Sequence, residues 1–228
     1  MSDKLTVRDI AAMVDHTVLA PFSKREEFVN ACRFALQHKC ASVCICPFFV
    51  DECAQRLDGS DVKTCTVIGF PHGTSATEAK VAETLIALAT GADEIDMVVN
   101  IAKVKDRDWK FVKDDISAVT TNVHAAGKKI KVIFENCYLD EEEKIMLCKI
   151  CTELRCDWVK TSTGFGTGGS TIEDLNLMKA NIGPDVQIKA AGGIRTLDQL
   201  LEARNAGATR IGCSRTKDIL EDAAKRFS

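Results

Sequence analysis

No apolar run in the 228-residue chain approaches the ~20 residues that would cross a bilayer, and residues 1–9 are too polar for a secretory signal. No block of like charge stands out either, since 30 Lys and Arg offset 33 Asp and Glu for a formal net charge of −3. A nucleic-acid or membrane-surface partner therefore gets no electrostatic support. The expectation is a soluble cytoplasmic protein. Linkers, low-complexity tracts and composition breaks are also missing, which predicts one domain over residues 1–228. The four histidines, His16, His38, His72 and His124, are too scattered to complete a zinc site with the close pairs Cys44/Cys46 and Cys148/Cys151. The eleven cysteines are odd in number and follow no secretory signal, so they are expected to be reduced and mostly buried, with no metal and no cofactor.

What is present is a rhythm. Short β-rich apolar runs at 14–17, 42–46, 64–70, 94–99, 130–135, 158–161, 186–190 and 209–213 alternate with amphipathic stretches such as 78–90, 109–125, 141–154, 172–181 and 197–205. Gly91, Gly127 and Gly207 stand where three of those helices should end. Eight strand–helix units in this length predict a (β/α)8 TIM barrel. An open doubly wound sheet has a similar rhythm, but the Gly-x-Gly-x-x-Gly of a dinucleotide fold is absent after the first strand.

In such barrels function gathers at the C-terminal ends of the strands. Two of those ends carry lysines, Lys160 and Lys189, on neighbouring strands. A lysine buried there could reach solvent or pair with a carboxylate; two together suggest that one helps keep the other uncharged, as an amine nucleophile needs. From an ordinary lysine pKa of ~10.4, reaching ~7 needs about 4.6 kcal/mol. Two ammonium groups ~4 Å apart repel by about 4 kcal/mol at an effective dielectric of ~20, so a neighbouring lysine is sufficient in magnitude. Spacing alone leaves open which lysine attacks. Asp96 lies in an apolar strand whose inward face is expected to be hydrophobic, so its carboxylate suggests proton transfer or a salt bridge to a lysine. Asp15 is a weaker case of the same kind. Glycines after the sixth, seventh and eighth strands (Gly164, Gly192, Gly193, Gly212) suggest backbone amides that hold a phosphate.

These segments, among them Asp15-His16-Thr17, Val159-Lys160-Thr161-Ser162-Thr163-Gly164 and Lys189-Ala190-Ala191-Gly192-Gly193, together make the chain resemble the deoxyribose-phosphate aldolases over nearly its whole length. The resemblance implies cleavage of 2-deoxy-D-ribose 5-phosphate to D-glyceraldehyde 3-phosphate and acetaldehyde, with Lys160 forming the imine. It implies Lys189 as the neighbour that keeps Lys160 uncharged and Asp96 as the proton carrier, working with a water. It further implies that Asp15 holds Lys189 and a sugar hydroxyl, that Thr17, Cys44 and Thr161 bind substrate, and that Gly164, Gly192, Gly193, Gly212 and Ser214 hold the phosphate. Departures are Ala20, which offers no group to the sugar, Asn136 after Glu135, and Arg215 after Ser214, expected to add a charged contact to the phosphate. A homodimer is expected. The alternatives are another Schiff-base aldolase or a catalytically silent barrel that binds sugar phosphates.

Overall fold

Successive side chains of an extended strand point to opposite sides, so each strand here divides its residues between two environments. In the computed structural model, which describes residues 5–227, eight strands run parallel: β1 (Val14–Val18), β2 (Ser42–Ile45), β3 (Lys63–Ile68), β4 (Glu94–Val98), β5 (Lys129–Ile133), β6 (Trp158–Lys160), β7 (Gln187–Ala191) and β8 (Arg210–Cys213). They pair in chain order and β8 closes on β1, giving a (β/α)8 barrel. Part of the polar opening, residues 1–4, and Ser228 lie outside the described residues.

Around the barrel run α1 (Val7–Ala11), α2 (Arg25–His38), α3 (Val50–Leu57), α4 (Thr77–Ala89), α5 (Ile101–Lys105), α6 (Trp109–Ala125), α7 (Glu141–Glu153), α8 (Ile172–Asn181), α9 (Leu197–Asn205) and α10 (Thr216–Arg226). Their starts follow from local chemistry. Asp140 accepts from the Glu143 amide at 2.9 Å, and the Glu143 carboxylate accepts in return from the Asp140 amide at 2.8 Å, satisfying two donors that open α7. Thr196 and Gln199 do the same for α9. Gly91, Gly127 and Gly207 take positive φ at the ends of α4, α6 and α9. No helix among the described residues is long and apolar enough to cross a membrane.

Every strand starts and ends within two residues of its sequence-based expectation. The two largest overshoots, after β3 and β5, have a backbone cause: Gly69 and Glu135, both at φ 58°, turn the chain out of the extended region.

The outward faces carry the core. Val14, Val43, Ile45, Ile95, Met97, Ile130, Val132, Val159, Ile188 and Ile211 are buried against the helices, and each such side chain contributes roughly 1.5–3 kcal/mol. Among the described residues the one charged pair fully buried in that layer is Lys80–Asp115 at 2.6 Å, which joins α4 to α6. The inward faces correct an expectation. On β4 the hydrophobic side is the outer one, Ile95 and Met97, while Glu94 and Asp96 point into the barrel. On the inward side Leu19, Cys44, Cys65 and Val67 form a small apolar cluster, and the Trp158 ring packs under Lys131 and Arg210.

Candidate active site

Register decides which charges meet. Lys160 on β6 lies beside Lys189 on β7, and Asp96 on β4 lies beside Lys131 on β5. All four point inward. Lys160 Nζ and Lys189 Nζ each donate to the same oxygen, Asp96 Oδ2, at 2.7 Å, so the two nitrogens sit within two hydrogen-bond lengths of each other. Lys131 Nζ bonds the other oxygen, Asp96 Oδ1, at 2.8 Å.

Below them lies a second tier. Lys189 pairs with Asp15 at 2.5 Å; Arg210 bridges Asp15 at 2.6 Å and Glu94 at 2.8 Å; Lys131 pairs with Glu94 at 2.6 Å and lies 3.5 Å from Asp15. Ser42 Oγ donates to Asp15 at 2.7 Å. Four basic side chains thus face three carboxylates inside the barrel, all but Arg210 almost fully buried.

Burial alone would raise the Asp96 carboxyl, but Lys131, Lys160 and Lys189 hold it well below the usual carboxylate range. Asp15 is likewise held low, by Arg210, Lys131 and Lys189 against the effect of burial. Burial works against the charge on Lys189 too; Asp15 and Asp96 outweigh it and keep that amine a cation, and carboxylates do the same for Lys131. Among the described residues Lys160 has a single carboxylate partner and shares it. Among the cluster's four basic groups, Lys160 alone reaches the wall of the cavity above.

That cavity, of about 470 Å³, opens at the C-terminal mouth. Thr17, Lys160, Gly164, Gly192, Gly193, Gly212 and Ser214 line it, as do His16, Thr163 and Arg195. The glycine end is a close approach of backbones: a Cβ on Gly169 would stand 2.3 Å from the Gly192 carbonyl oxygen, so no larger residue fits there. Thr163 is held by Glu135, whose carboxylate accepts from both its amide and its hydroxyl.

Several expected residues lie elsewhere. Cys44 is fully buried beneath the cavity, beside Cys65, and does not reach its wall. Thr161 ties β6 to β7, its hydroxyl donating to the Ala191 carbonyl at 3.0 Å and accepting from the Ala191 amide at 3.1 Å. Asp15 is closed off under Lys189, with no access to a sugar hydroxyl in the cavity. Arg215 is exposed and donates to Asp218 at 3.2 Å, away from the cavity lining. The cation on that rim is Arg195, which the sequence had not singled out. Ala20 lines the cavity without a polar group, while Asn136 is buried and donates to Met178 Sδ at 3.5 Å.

Among the described residues two sets of side chains lie close enough to share a cation, Cys44/Cys65/Asp96 and Asp15/Cys65/Glu94. Their carboxylates are already bonded by Lys131, Lys189 and Arg210, so a divalent ion would enter against ammonium and guanidinium groups.

A sequence profile of the DeoC/LacD family aldolases matches residues 10–220. The chain belongs to this family. Among DeoC/LacD relatives, the deoxyribose-phosphate aldolase of Rhodopirellula baltica is 50% identical over 219 residues, covering 96% of this chain and 91% of its own. That of Thermococcus kodakarensis is 48% identical, covering 95% of this chain and 97% of its own. The solved deoxyribose phosphate aldolase of Aeropyrum pernix, described as tetrameric, superposes with a TM-score of 0.91 at 29% identity, covering 98% of this chain and 95% of that one.

Proposed function

We propose that this aldolase cleaves 2-deoxy-D-ribose 5-phosphate to D-glyceraldehyde 3-phosphate and acetaldehyde, reversibly, through a Schiff base on Lys160. The observation that carries the reading is the single carboxylate oxygen shared by Lys160 and Lys189 at 2.7 Å, with Lys160 alone of that cluster facing the cavity. Four basic groups stand against three carboxylates, so one positive charge in the cluster has no carboxylate of its own. Lys189 is held charged by two carboxylates, which leaves Lys160 to act as the nucleophile.

The amine adds to the C1 aldehyde of the open-chain sugar and loses water to give an iminium. The C3 hydroxyl gives up its proton, the C2–C3 bond breaks toward the iminium, and glyceraldehyde 3-phosphate leaves an enamine behind. Asp96, kept ionised by three lysines, accepts that proton, directly or through a water, and returns it to C2. Hydrolysis then frees acetaldehyde and the amine. Thr17 and Thr163, whose hydroxyl protons go to the Asp15 carbonyl and Glu135, offer hydroxyl oxygens that accept from the sugar, and the phosphate rests on the amides around Gly164, Gly192, Gly193 and Gly212, with Ser214 donating and Arg195 supplying charge.

Borohydride added during turnover should fix an ethyl group on Lys160, located by peptide mass mapping, and Lys160→Met should abolish both the adduct and cleavage. An adduct on Lys189 or Lys131, or cleavage that survives Lys160→Met, would overturn the assignment. In this reading the enzyme works in the cytosol as a homodimer. Light scattering at twice the 24.9 kDa chain mass supports the dimer, and four times that mass replaces it with the assembly described for the Aeropyrum relative.

A further inference from the structure

Away from the cavity, two thiols are arranged for chemistry of their own. Cys32 on α2 and Cys53 on α3, 21 residues apart, bring their Sγ atoms to 3.6 Å, and both residues are almost fully buried. A small cleft of about 10 Å³ is nonetheless lined by both cysteines, together with Phe28, Phe49, Glu52 and Arg56. That is room for roughly one water-sized molecule. We propose that Cys32 and Cys53 form an oxidation site for hydrogen peroxide, closing to a disulfide that staples α2 to α3.

The two sulfurs share one hydrogen bond, which favours a thiolate on whichever sulfur accepts it. The step is written with Cys32 attacking and Cys53 resolving; the reverse order gives the same disulfide and the same two waters. In the first step Cys32 sulfur attacks one peroxide oxygen, the O–O bond breaks, and Cys32 becomes a sulfenic acid with release of hydroxide. Cys53 then gives its proton to that hydroxide and attacks Cys32 sulfur, displacing the sulfenic oxygen, which leaves as water after protonation from solvent. The sum is two thiols and one hydrogen peroxide giving one disulfide and two waters, the two electrons passing from the sulfurs to the O–O bond. Closing the contact to the ~2.05 Å of a disulfide asks for a small approach of α3, an eight-residue helix.

The other thiols lack this combination. Cys44, Cys65, Cys148, Cys151 and Cys156 are buried and line none of the described cavities, nor does the half-buried Cys137, while Cys40, Cys46 and Cys213 each reach a cavity that shows no second thiol. So small a cleft leaves no room for a bulky disulfide such as oxidised glutathione to reach the pair, and peroxide is the smallest two-electron oxidant of thiols.

The test treats the fully reduced protein with a few equivalents of hydrogen peroxide. The intact mass should fall by two hydrogens, a non-reducing digest should join the Cys32 and Cys53 peptides, and dithiothreitol should reverse both. In Cys53→Ala the cross-link should vanish and dimedone should label Cys32 instead. Oxidised glutathione should leave both thiols free. A wild-type cross-link mapped to Cys44–Cys65 or Cys151–Cys156, oxygen added to Cys32 without a cross-link, or no reaction at either thiol would overturn the proposal, and so would a glutathione adduct on Cys32. The wild-type map decides the matter even if the alanine variant does not fold.

Discussion

The two faces of one sheet are built on opposite principles. Outside the strands, between sheet and helices, the packing is aliphatic and nearly uncharged, Lys80–Asp115 apart. Inside, where small barrels usually stack branched apolar side chains, Lys131, Lys160, Lys189 and Arg210 meet Asp15, Glu94 and Asp96. Replacing such a charge network by apolar packing is often neutral or stabilising, so stability alone gives no reason for it. The comparison teaches a division of labour: the outer layer holds the barrel closed, and the inner layer sets charge where Lys160 reacts.

The sharpest way to break that division is to remove a charge that never touches the cavity. Lys131→Met leaves Asp96, Glu94 and Asp15 short of a cation, and the expected cost is roughly 3–5 kcal/mol of stability with at least a ~10²-fold loss in kcat. Denaturant melts and steady-state cleavage assays read the two effects. If kcat holds while stability falls, Lys131 belongs with the scaffold and the inner layer is not a single functional unit.

The converse test lies one residue along β4 from Asp96, on the other face. Ile95→Ala opens a void against the helices and should cost about 3 kcal/mol, while kcat stays within about twofold of the parent at a temperature where both are folded. A large drop in kcat would mean that the layers are mechanically coupled through the strand.

How much of this was legible follows the same division. The outer layer writes itself into the sequence as alternation, because Ile95 and Met97, or Ile130 and Val132, must all be apolar for one face to be buried. Asp96, Lys160 and Lys189 were legible because a charge within an apolar run calls for a cause. Lys131 was not: it follows Lys128 and Lys129 at a strand start, where lysines ordinarily face water, and only its register with Asp96 turns it inward. Glu94 and Arg210 hid for the same reason. Cys44 and Thr161 failed in the other direction, since nearness to a strand end does not say how deep below the mouth a side chain stops.

His16 sits on the cavity wall, its Nδ1 2.9 Å from Thr216 Oγ1, and offers a milder probe that uses protons instead of mutations. Burial, reinforced by His38, pulls its pKa down to about 4 from the ordinary 6.5. Between those values the unfolded chain binds a proton that the native state refuses, so stability is intact above pH 6.5 and declines as pH falls toward 4. The loss should approach about 3 kcal/mol. Asp15 and Asp96, held low, begin to lose their contribution below about pH 5, so the upper part of the window, from pH 6.5 to about 5, is the part they do not touch. Thermal melts across pH 5–7 should show the slope and His16→Gln should flatten it; an unchanged slope in the variant would place the sensitive group elsewhere.

The smallest effect tests the rim, where the comparison of inner and outer positions comes down to two arginines. Arg195 lines the cavity beside the Gly192–Gly193 amides, whereas Arg215 spends its guanidinium on Asp218 outside it. A hydrogen bond to a charged group is worth about 1.5–3 kcal/mol, so Arg195→Ser should raise KM for the phosphorylated sugar by roughly 10–100-fold with kcat little changed. Arg215→Ser should leave KM within about twofold, because an exposed pair with Asp218 contributes little and touches no substrate. If instead Arg215→Ser raises KM by tenfold or more and Arg195→Ser does not, the α10 arginine leaves Asp218 for the phosphate when substrate binds, and the charged contact first expected from the sequence stands after all.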